Sequence, residues 1–407
     1  MPRGYRVIVG ILIFALIFGG SVAMSAPRFV FFFIGDGMGE GDVHFLERYS
    51  RFRGVSSSFS ALSFVGTVGT LSGGEIPDSA SSGTALACGV KTRNGMLGVD
   101  PSGRITPSLA EIAKKRNFRV GIITNVAVND ATPASFYAHR SSRRDYQGIA
   151  LDMVESGFDL LVGWGIASPG DALAVGAKRG YTVTRSWDDF LSRKDLPMVA
   201  LLSFPFHVDR KNGYTLQSAV RRGIELLFNE RGFLLVVEGG KIDWCKHMND
   251  VGSLLGELLD FDEAIQEALT FAKQYPQETL VLVTADHETG EFEVDGEVDF
   301  PKILGQPFSY QVFFDRVSAG ASLSEVAREM WGFPEELIPP LGGTGNDPNK
   351  AFIALARKFS QEVGVSWKTT GHTAEKVPVF VWGEQFPEKL HENTDIFPFL
   401  RRFIDDH

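Results

Sequence analysis

Cysteine is scarce in this sequence, with only Cys88 and Cys245 among 407 residues. Two cysteines exclude a disulfide framework, and we predict neither a bridge between them nor a metal-ligating role for Cys245. An excess of basic residues is also missing, because 40 Lys and Arg face 50 Asp and Glu, for a formal net charge of −10. A nucleic-acid-binding surface is therefore not expected, and binding of an anion would need metal ions or a local arginine.

Internal repeats and low-complexity tracts are absent as well. Hydrophobic residues make up 44% of the chain and charged residues 22%. These fractions are those of an ordinary globular protein, so they exclude global disorder, a collagen-like repeat and a polytopic membrane protein. A length of 407 residues is enough for one large α/β core or for two domains.

One long apolar run does occur, over residues 7–20, and two arginines precede it. A positive start, an apolar stretch and small residues after it are typical of an export signal, so we predict a signal peptide over residues 1–25. An uncleaved membrane anchor is the alternative, because no charge lies between Arg6 and Arg28. In both cases residues 26–407 form a domain that works outside the cytoplasm, as a periplasmic, secreted or surface-anchored protein.

Short continuous apolar runs recur along the chain, and each is typical of a strand buried on both faces. They lie at residues 29–34, 119–123, 160–162, 198–202, 233–237, 280–283 and 377–381. Residues 215–228 and 253–273 space their apolar positions by three and four, as amphipathic helices do. This alternation predicts an α/β fold, with a large, mostly parallel central sheet and helices on both faces.

The stretch from about 291 to 366 breaks the alternation, because it is richer in Pro, Gly and acidic residues and has weaker strand signals. It lies between two segments that carry candidate site residues. We predict an insertion into the main domain that caps the site, not an independent domain.

Polar residues cluster directly after several of the apolar runs, and in an open α/β sheet ligands bind at the carboxyl ends of the strands. Asp36 stands between two glycines after the first run. Gly-Asp-Gly allows a tight turn with an exposed carboxylate, although it is also a common turn without function. A nucleotide-binding loop is a poorer interpretation, since the Walker pattern with its lysine is absent.

Asp78 and Ser79 precede helical sequence rich in alanine and other small residues. One interpretation is a capped helix start, which Asp and Ser favour in any helix. The other is a nucleophilic Ser79 at a helix N-terminus, where backbone N–H groups favour a bound phosphate or a developing alkoxide. On this segment alone the capping interpretation is favoured.

A third segment contains Asp130, Thr132 and Arg143. Carboxylate and hydroxyl oxygens are ligand atoms that Mg²⁺ prefers, although Asp130 and Thr132 also suit a turn before Pro133. Arg143 could hold two phosphate oxygens, but a single arginine is more often a surface charge.

Two further segments carry the strongest metal signal. Glu238 ends an apolar run, and Asp243 and His247 follow four residues apart, so one helical turn would aim both at one point. Asp286 and His287 follow another run, and a loop can aim both at one metal. Mixed Asp and His ligands suit Zn²⁺, and sets of oxygen ligands suit Mg²⁺.

Together these segments resemble the alkaline phosphatase family. The resemblance is carried by IGDGMG, DSASSGTA with CGVKTRNGMLGVD, NDATPA with HRSSR, EGGKIDWCKH, TADHETG and TTGHT, in the family's order and over nearly the whole chain after residue 25. The last motif contains His372, which by itself would be a structural histidine. The resemblance implies the family's large parallel sheet and the hydrolysis of small phosphate monoesters through a phosphoseryl intermediate. It also implies a homodimer.

The resemblance implies a role for each site residue. Ser79 matches the nucleophile, Arg143 matches the arginine that holds the phosphate, and Asp130 matches an acid near the phosphate and the Mg²⁺. The ligands of one zinc ion match Asp243, His247 and His372. Those of the second zinc ion match Asp36, Asp286 and His287. The third metal ion, usually Mg²⁺, matches Asp36, Thr132 and Glu238.

Trp244 stands where some family members carry a basic residue, and other members also carry a Trp. A neutral ring removes one positive charge, which leaves phosphate affinity and the identity of the third metal open. A phosphodiesterase or sulfatase with the same metal core is an alternative function, disfavoured because diesterases usually carry Thr as nucleophile and sulfatases a modified Cys or Ser. An inactive metal- or phosphate-binding protein is disfavoured by the intact set of Ser79, Arg143 and metal ligands.

Overall fold

A computed structural model describes residues 27–210, 213–334, 347–386 and 389–407, and the predicted signal peptide lies outside them. The strands are β1 (Phe29–Ile34), β2 (Ser63–Val68), β3 (Arg119–Thr124), β4 (Leu160–Gly163), β5 (Thr182–Thr184), β6 (Met198–Leu201), β7 (Phe233–Glu238), β8 (Thr279–Thr284), β9 (Phe292–Val294), β10 (Val365–Trp367) and β11 (Val377–Trp382). All seven predicted strands are present, and each predicted boundary agrees with the structure to within one residue.

Helices surround these strands. They are α1 (Glu40–Arg53), α2 (Ser79–Cys88), α3 (Leu109–Lys115), α4 (Ala131–Ala134), α5 (Tyr146–Glu155), α6 (Ala172–Lys178), α7 (Trp187–Ser192), α8 (Leu216–Leu227), α9 (Lys241–His247), α10 (Val251–Gln274), α11 (Phe300–Leu304), α12 (Tyr310–Ser318), α13 (Leu323–Trp331), α14 (Pro348–Glu362) and α15 (Ile396–Asp405). The two predicted helices correspond to α8 and α10. No helix of the described ranges is both long and apolar enough to cross a membrane.

Nine strands form the central sheet, in the order β2-β11-β8-β1-β7-β3-β4-β6-β5. The strands from β8 to β5 pair in parallel, whereas β11 runs antiparallel to both of its neighbours, β2 and β8. This arrangement confirms the predicted mostly parallel α/β sheet.

The apolar run of β1 explains its place inside the sheet. All six of its residues are fully buried, which only a strand covered on both faces can achieve. Phe31 packs against Phe233 of β7 and Phe271 of α10, with ring centroids 5.2 and 5.6 Å apart. Burying a Phe side chain contributes roughly 1.5–3 kcal/mol to folding stability. This aromatic core therefore stabilises the position of β1, whose carboxyl end leads into the site.

The stretch predicted as an insertion starts and ends at a small separate sheet. β9 and β10 pair antiparallel, with Glu293 opposite Ser366, and α11 to α14 lie between them in the chain. Phe292 of β9 joins this part to the main body through Phe45 of α1, at a centroid distance of 5.3 Å. Its role as an inserted cap stays a prediction.

Candidate active site

Four adjacent strands, β8, β1, β7 and β3, end side by side and present the candidate residues at one edge of the sheet. Ile34, the last residue of β1, pairs with Glu238 of β7 and with Thr284 of β8. Asp36 and Asp286 each follow two residues beyond such a strand end, so parallel register brings both carboxylates to neighbouring positions.

Asp243, His247 and His372 form the first ligand cluster, in which one ligand atom from each lies within 4.8 Å of the others. The predicted helical turn exists as α9, and it places His247 Nε2 3.1 Å from Asp243 Oδ2. His372 arrives from a distant segment, with its Nε2 3.8 Å from Asp243 Oδ1.

The two rings of this cluster are held in the orientation that metal binding needs. His247 Nδ1 lies 2.6 Å from the carbonyl oxygen of Thr370, and His372 Nδ1 lies 2.8 Å from that of Pro77. A carbonyl oxygen only accepts hydrogen bonds, so each Nδ1 carries the proton and each Nε2 keeps its lone pair for the cluster. The cluster therefore fits a Zn²⁺ ion by donor type and orientation.

Asp36, Asp286 and His287 form the second ligand cluster, and all three side chains are buried. Asp286 Oδ1 accepts a hydrogen bond from the backbone N–H of Gly37 at 3.2 Å. Asp36 Oδ1 is buried and has no hydrogen-bond donor among the described residues. A buried carboxylate oxygen without a donor is costly, and a cation held jointly with the neighbouring ligands would satisfy it.

A third group of candidate ligands around Asp36 offers oxygen atoms only. Thr132 Oγ1 donates to Asp36 Oδ2 at 3.1 Å, and Glu238 lies close enough for its negative charge to raise the pKa of Asp36. Thr124 Oγ1 also donates to Glu238. Carboxylates and a hydroxyl without nitrogen are a donor set that suits Mg²⁺.

The electrostatics of the site favour cations. Burial raises the pKa of Asp36, and the nearby carboxylates of Asp286 and Asp243 raise it further. Burial likewise raises the pKa of Glu238 to about 8 and that of Asp286 to about 6. So many buried carboxylates can be ionised together near neutral pH only if positive charge lies among them.

Ser79 is the first residue of α2, as the capping interpretation required, and it also faces the second cluster. Asp78 caps the helix by accepting from the N–H of Ser81 at 2.9 Å. The Ser79 hydroxyl is buried, and its Oγ lies 3.3 Å from His287 Nε2. The capping and nucleophile interpretations are therefore compatible, because Asp78 performs the first and leaves the Ser79 hydroxyl free for the second.

Arg143 reaches the site beside Ser79 and is held by two carboxylates. Its Nη1 lies 3.2 Å from Asp78 Oδ2, and its Nη2 lies 3.2 Å from Asp130 Oδ1. The predicted phosphate ligand is thus not a free surface charge, and the pair of contacts fixes the plane of the guanidinium next to the serine.

Two features of the site were not predicted from the sequence. Trp164, in the loop after β4, lies 6.0 Å from Trp244 between ring centroids, and the ammonium of buried Lys241 lies 4.3 Å from the Trp164 centroid. Thr289 Oγ1 donates to the metal-ligand candidate Asp243 at 2.6 Å. Thr289 belongs to the motif TADHETG, so its position beside two ligands was the available clue, whereas nothing in the sequence links Trp164 to Trp244.

The chain resembles known proteins over almost its whole length. The family model described as alkaline phosphatase matches residues 27–159 and 198–405. Alkaline phosphatase 4 of Bacillus subtilis (strain 168) is 31% identical over 356 residues, which are 80% of this chain and 77% of that protein.

Solved structures agree with this match. The cold-active alkaline phosphatase of Shewanella sp. is 28% identical with a TM-score of 0.81, over 92% of this chain and 99% of that one. A variant of the TAB5 alkaline phosphatase, solved with Mg bound, is 28% identical with a TM-score of 0.71, over 94% of this chain and 99% of that one. The chain therefore belongs to the alkaline phosphatase family and is an enzyme that hydrolyses phosphate monoesters.

Proposed function

We propose that the enzyme transfers the phosphoryl group of its substrate first to Ser79 and then to water, with two zinc ions and one magnesium ion bound. The observation that carries this proposal is the 3.3 Å contact between Ser79 Oγ and His287 Nε2. It places a hydroxyl at the start of a helix against one of two clusters of metal-ligand candidates.

The donor sets support an assignment of the three ions. Asp243, His247 and His372 would hold one zinc ion, and Asp36, Asp286 and His287 the other. Asp36, Thr132 and Glu238 would hold magnesium, because they supply only oxygen ligands. When bound, the ions lower the pKa of the hydroxyl and of the attacking water and neutralise charge on the phosphoryl oxygens.

The chemistry consists of two displacements at phosphorus. In the first, Ser79 Oγ bonds to phosphorus and gives up its proton while the bond from phosphorus to the ester oxygen breaks, and the alcohol leaves with a proton. In the second, a water oxygen bonds to phosphorus and the bond to Ser79 Oγ breaks. The serine regains its proton and inorganic phosphate is released.

Arg143 would bind the phosphoryl group without losing its present partners. Each terminal nitrogen of a guanidinium carries two N–H groups. Nη1 and Nη2 can therefore keep their contacts with Asp78 and Asp130 while each donates a second hydrogen bond to a phosphoryl oxygen. Asp130 would act as a substrate-binding residue by orienting Arg143. Trp244 adds no charge, so phosphate binding rests on Arg143 and the metal ions.

The setting of the enzyme is inferred from the sequence. We place it outside the cytoplasm because residues 1–25 have the pattern of an export signal, and cell fractionation tests this. We expect a homodimer, to be checked by light scattering.

Contacts of α14 support the predicted cap. Arg357 of α14 donates to the side-chain oxygen of Asn249, near the first cluster, at 2.8 Å, and Asn249 in turn donates to the carbonyl oxygen of Thr369.

Turnover of p-nitrophenyl phosphate and of bis-p-nitrophenyl phosphate, with Zn²⁺ and Mg²⁺ present, tests the proposal. A large preference for the monoester that disappears in Ser79→Ala supports it. Preference for the diester would point to a phosphodiesterase, and the absence of turnover of either compound would point to a binding protein.

A further inference from the structure

A completely buried lysine, Lys246, immediately precedes the ligand candidate His247. The Lys246 ammonium contacts the carboxylate of Asp42 and lies 3.0 Å from Glu288 Oε1, and all three side chains are buried. None of the three belongs to the ligand sets described above. The proposed reaction does not involve any residue of this ion network.

Each member of the network sits beside a segment that carries ligands. Lys246 immediately precedes His247, and Glu288 immediately follows His287. Asp42 lies at the start of α1, and its Oδ2 also accepts from the backbone N–H of Gly39 at 2.7 Å, which fixes the turn that carries Asp36.

The network also reaches the fourth ligand segment. Thr373 follows His372, and its Oγ1 donates to Glu288 Oε2 at 2.6 Å. The backbone N–H of Thr373 donates to the carbonyl oxygen of Glu288 at 3.0 Å. One buried lysine and its partners therefore join segments from both clusters, although these segments are far apart in the chain.

Stability alone does not account for such a network. Replacing a buried ion pair by apolar residues of similar volume is often neutral or stabilising. Here Lys246, Glu288 and Thr373 are each adjacent in the chain to a ligand candidate, and Asp42 accepts from the turn that carries Asp36. Glu288 also accepts from the backbone N–H groups of Glu291 and Phe292. Groups outside the ligand shell commonly affect metal affinity through the orientation of the ligands, and this network holds the backbone next to the ligand candidates.

We propose that Lys246 is a positioning residue that couples the two zinc clusters, so that loss of its charge weakens zinc binding at both clusters together. The inference rests on the proposed function only in that the clusters hold zinc. Lys246 touches neither substrate nor metal. It acts through Asp42, Glu288 and Thr373, by fixing the Asp36 turn, His287 and His372 relative to His247.

The test measures zinc affinity of the holoenzyme by competition with a chromophoric chelator. Lys246→Met should release both zinc ions at a free Zn²⁺ concentration about 10- to 100-fold higher than the parent does. Thr373→Val removes one hydroxyl and no charge, and it should shift release in the same direction by a smaller factor. In the cobalt-substituted enzyme both variants should change the visible absorption of both sites.

Two control variants separate positioning from general damage. Arg210→Met breaks a buried ion pair with Asp260 that touches no ligand candidate, and Thr279→Val removes a buried hydroxyl that donates to Tyr275 at the far end of β8. Both should leave zinc affinity and the cobalt spectrum unchanged.

The outcomes distinguish the inference from the proposed function. If the parent enzyme binds zinc and Thr373→Val and Lys246→Met release it as the parent does, or at one cluster only, the inference is overturned. If Lys246→Met does not fold, Thr373→Val decides alone. A parent enzyme that turns over substrate without zinc overturns the proposed function.

Discussion

The imidazole rings of His287 and His372 are stacked, with centroids 3.7 Å apart and planes inclined by 25°. The rings belong to different ligand clusters, so the two clusters are in direct contact. Burial lowers the pKa of His287 to about 4, and burial together with the neighbouring His287 lowers the pKa of His372. Both rings are therefore neutral near pH 7, which is the form that binds metal.

Ser79→Ala should retain the fold and the bound metals and lose activity by about 10³-fold or more, because no other hydroxyl replaces the nucleophile. Steady-state turnover and metal content check this. Ser81→Ala is the matched control on the same helix, since the Ser81 hydroxyl contacts Asp78 and Asn94 and no ligand candidate. The activity of Ser81→Ala should stay within a few-fold of the activity of the parent.

Chelation should abolish activity and also lower the melting temperature. An ion present at 1,000 times its Kd stabilises the folded state by about 4 kcal/mol, and the carboxylates of Asp36, Asp286 and Glu238 repel one another when no cation lies among them. Scanning calorimetry before and after chelation measures the loss, and Zn²⁺ with Mg²⁺ should restore both properties. Full activity in metal-free protein would contradict the mechanism.

Arg143→Ala should weaken inhibition by inorganic phosphate about tenfold and lower kcat/KM, because ground state and transition state both lose two hydrogen bonds. The loss should be smaller than that of Ser79→Ala, since the metal ions still contact the phosphoryl oxygens. The inhibition constant at fixed Zn²⁺ and Mg²⁺ is the measurement. An unchanged constant would place the Arg143 guanidinium away from the phosphate.

Trp244→Lys should act in the opposite direction and tighten phosphate binding, because it adds a positive charge next to Asp243. Turnover would slow if product release limits the rate. The same inhibition assay reports the change. Trp164→Phe is a useful control, because it disturbs the contact with Trp244 without adding charge, and tightening in this control would rule out charge as the cause.

Protonation of His139 should make the stability of the protein depend on pH, independently of metal binding. Burial opposes its charge most strongly, but the ring's hydrogen bonds to Glu111 and to the carbonyl oxygen of Gly98, together with the negative charges of Glu111 and Asp152, outweigh burial and raise the pKa. When the pKa of a histidine is higher in the folded protein than in the unfolded protein, its protonation stabilises the folded state. This stabilisation is fully present below the pKa of the unfolded protein, and it is lost as pH rises through the pKa of the folded protein. The difference in unfolding free energy between parent and His139→Gln should therefore be larger at about pH 5.5 than at about pH 9. An equal difference at both pH values would contradict this.

The strands of the sheet were predictable because their signal is local. A continuous run such as Phe29–Ile34 can only be buried on both faces, and β1 is. By contrast, Ser63–Val68 is half exposed and alternates weakly, so β2 was missed. The sequence also gave no indication that β11 reverses direction, because strand direction depends on how the chain returns to the sheet.

The site was predictable to the extent that ligands are adjacent in sequence. The four-residue spacing of Asp243 and His247 predicts a shared helical turn, and α9 provides it. His372 lies 125 residues after His247 in the chain, so its position beside Asp243 and His247 depends on tertiary packing. Only the family resemblance predicted that it joins them. The network around Lys246 joins segments that no local pattern connects.

Ser79 should become phosphorylated during turnover. Acid quenching of the enzyme during hydrolysis of a phosphate monoester, followed by peptide mass spectrometry, tests it most directly. We expect phosphate on Ser79 in the parent and on no residue in Ser79→Ala. Phosphate on another residue, or hydrolysis by the parent with no phosphorylated peptide at any time, would contradict it.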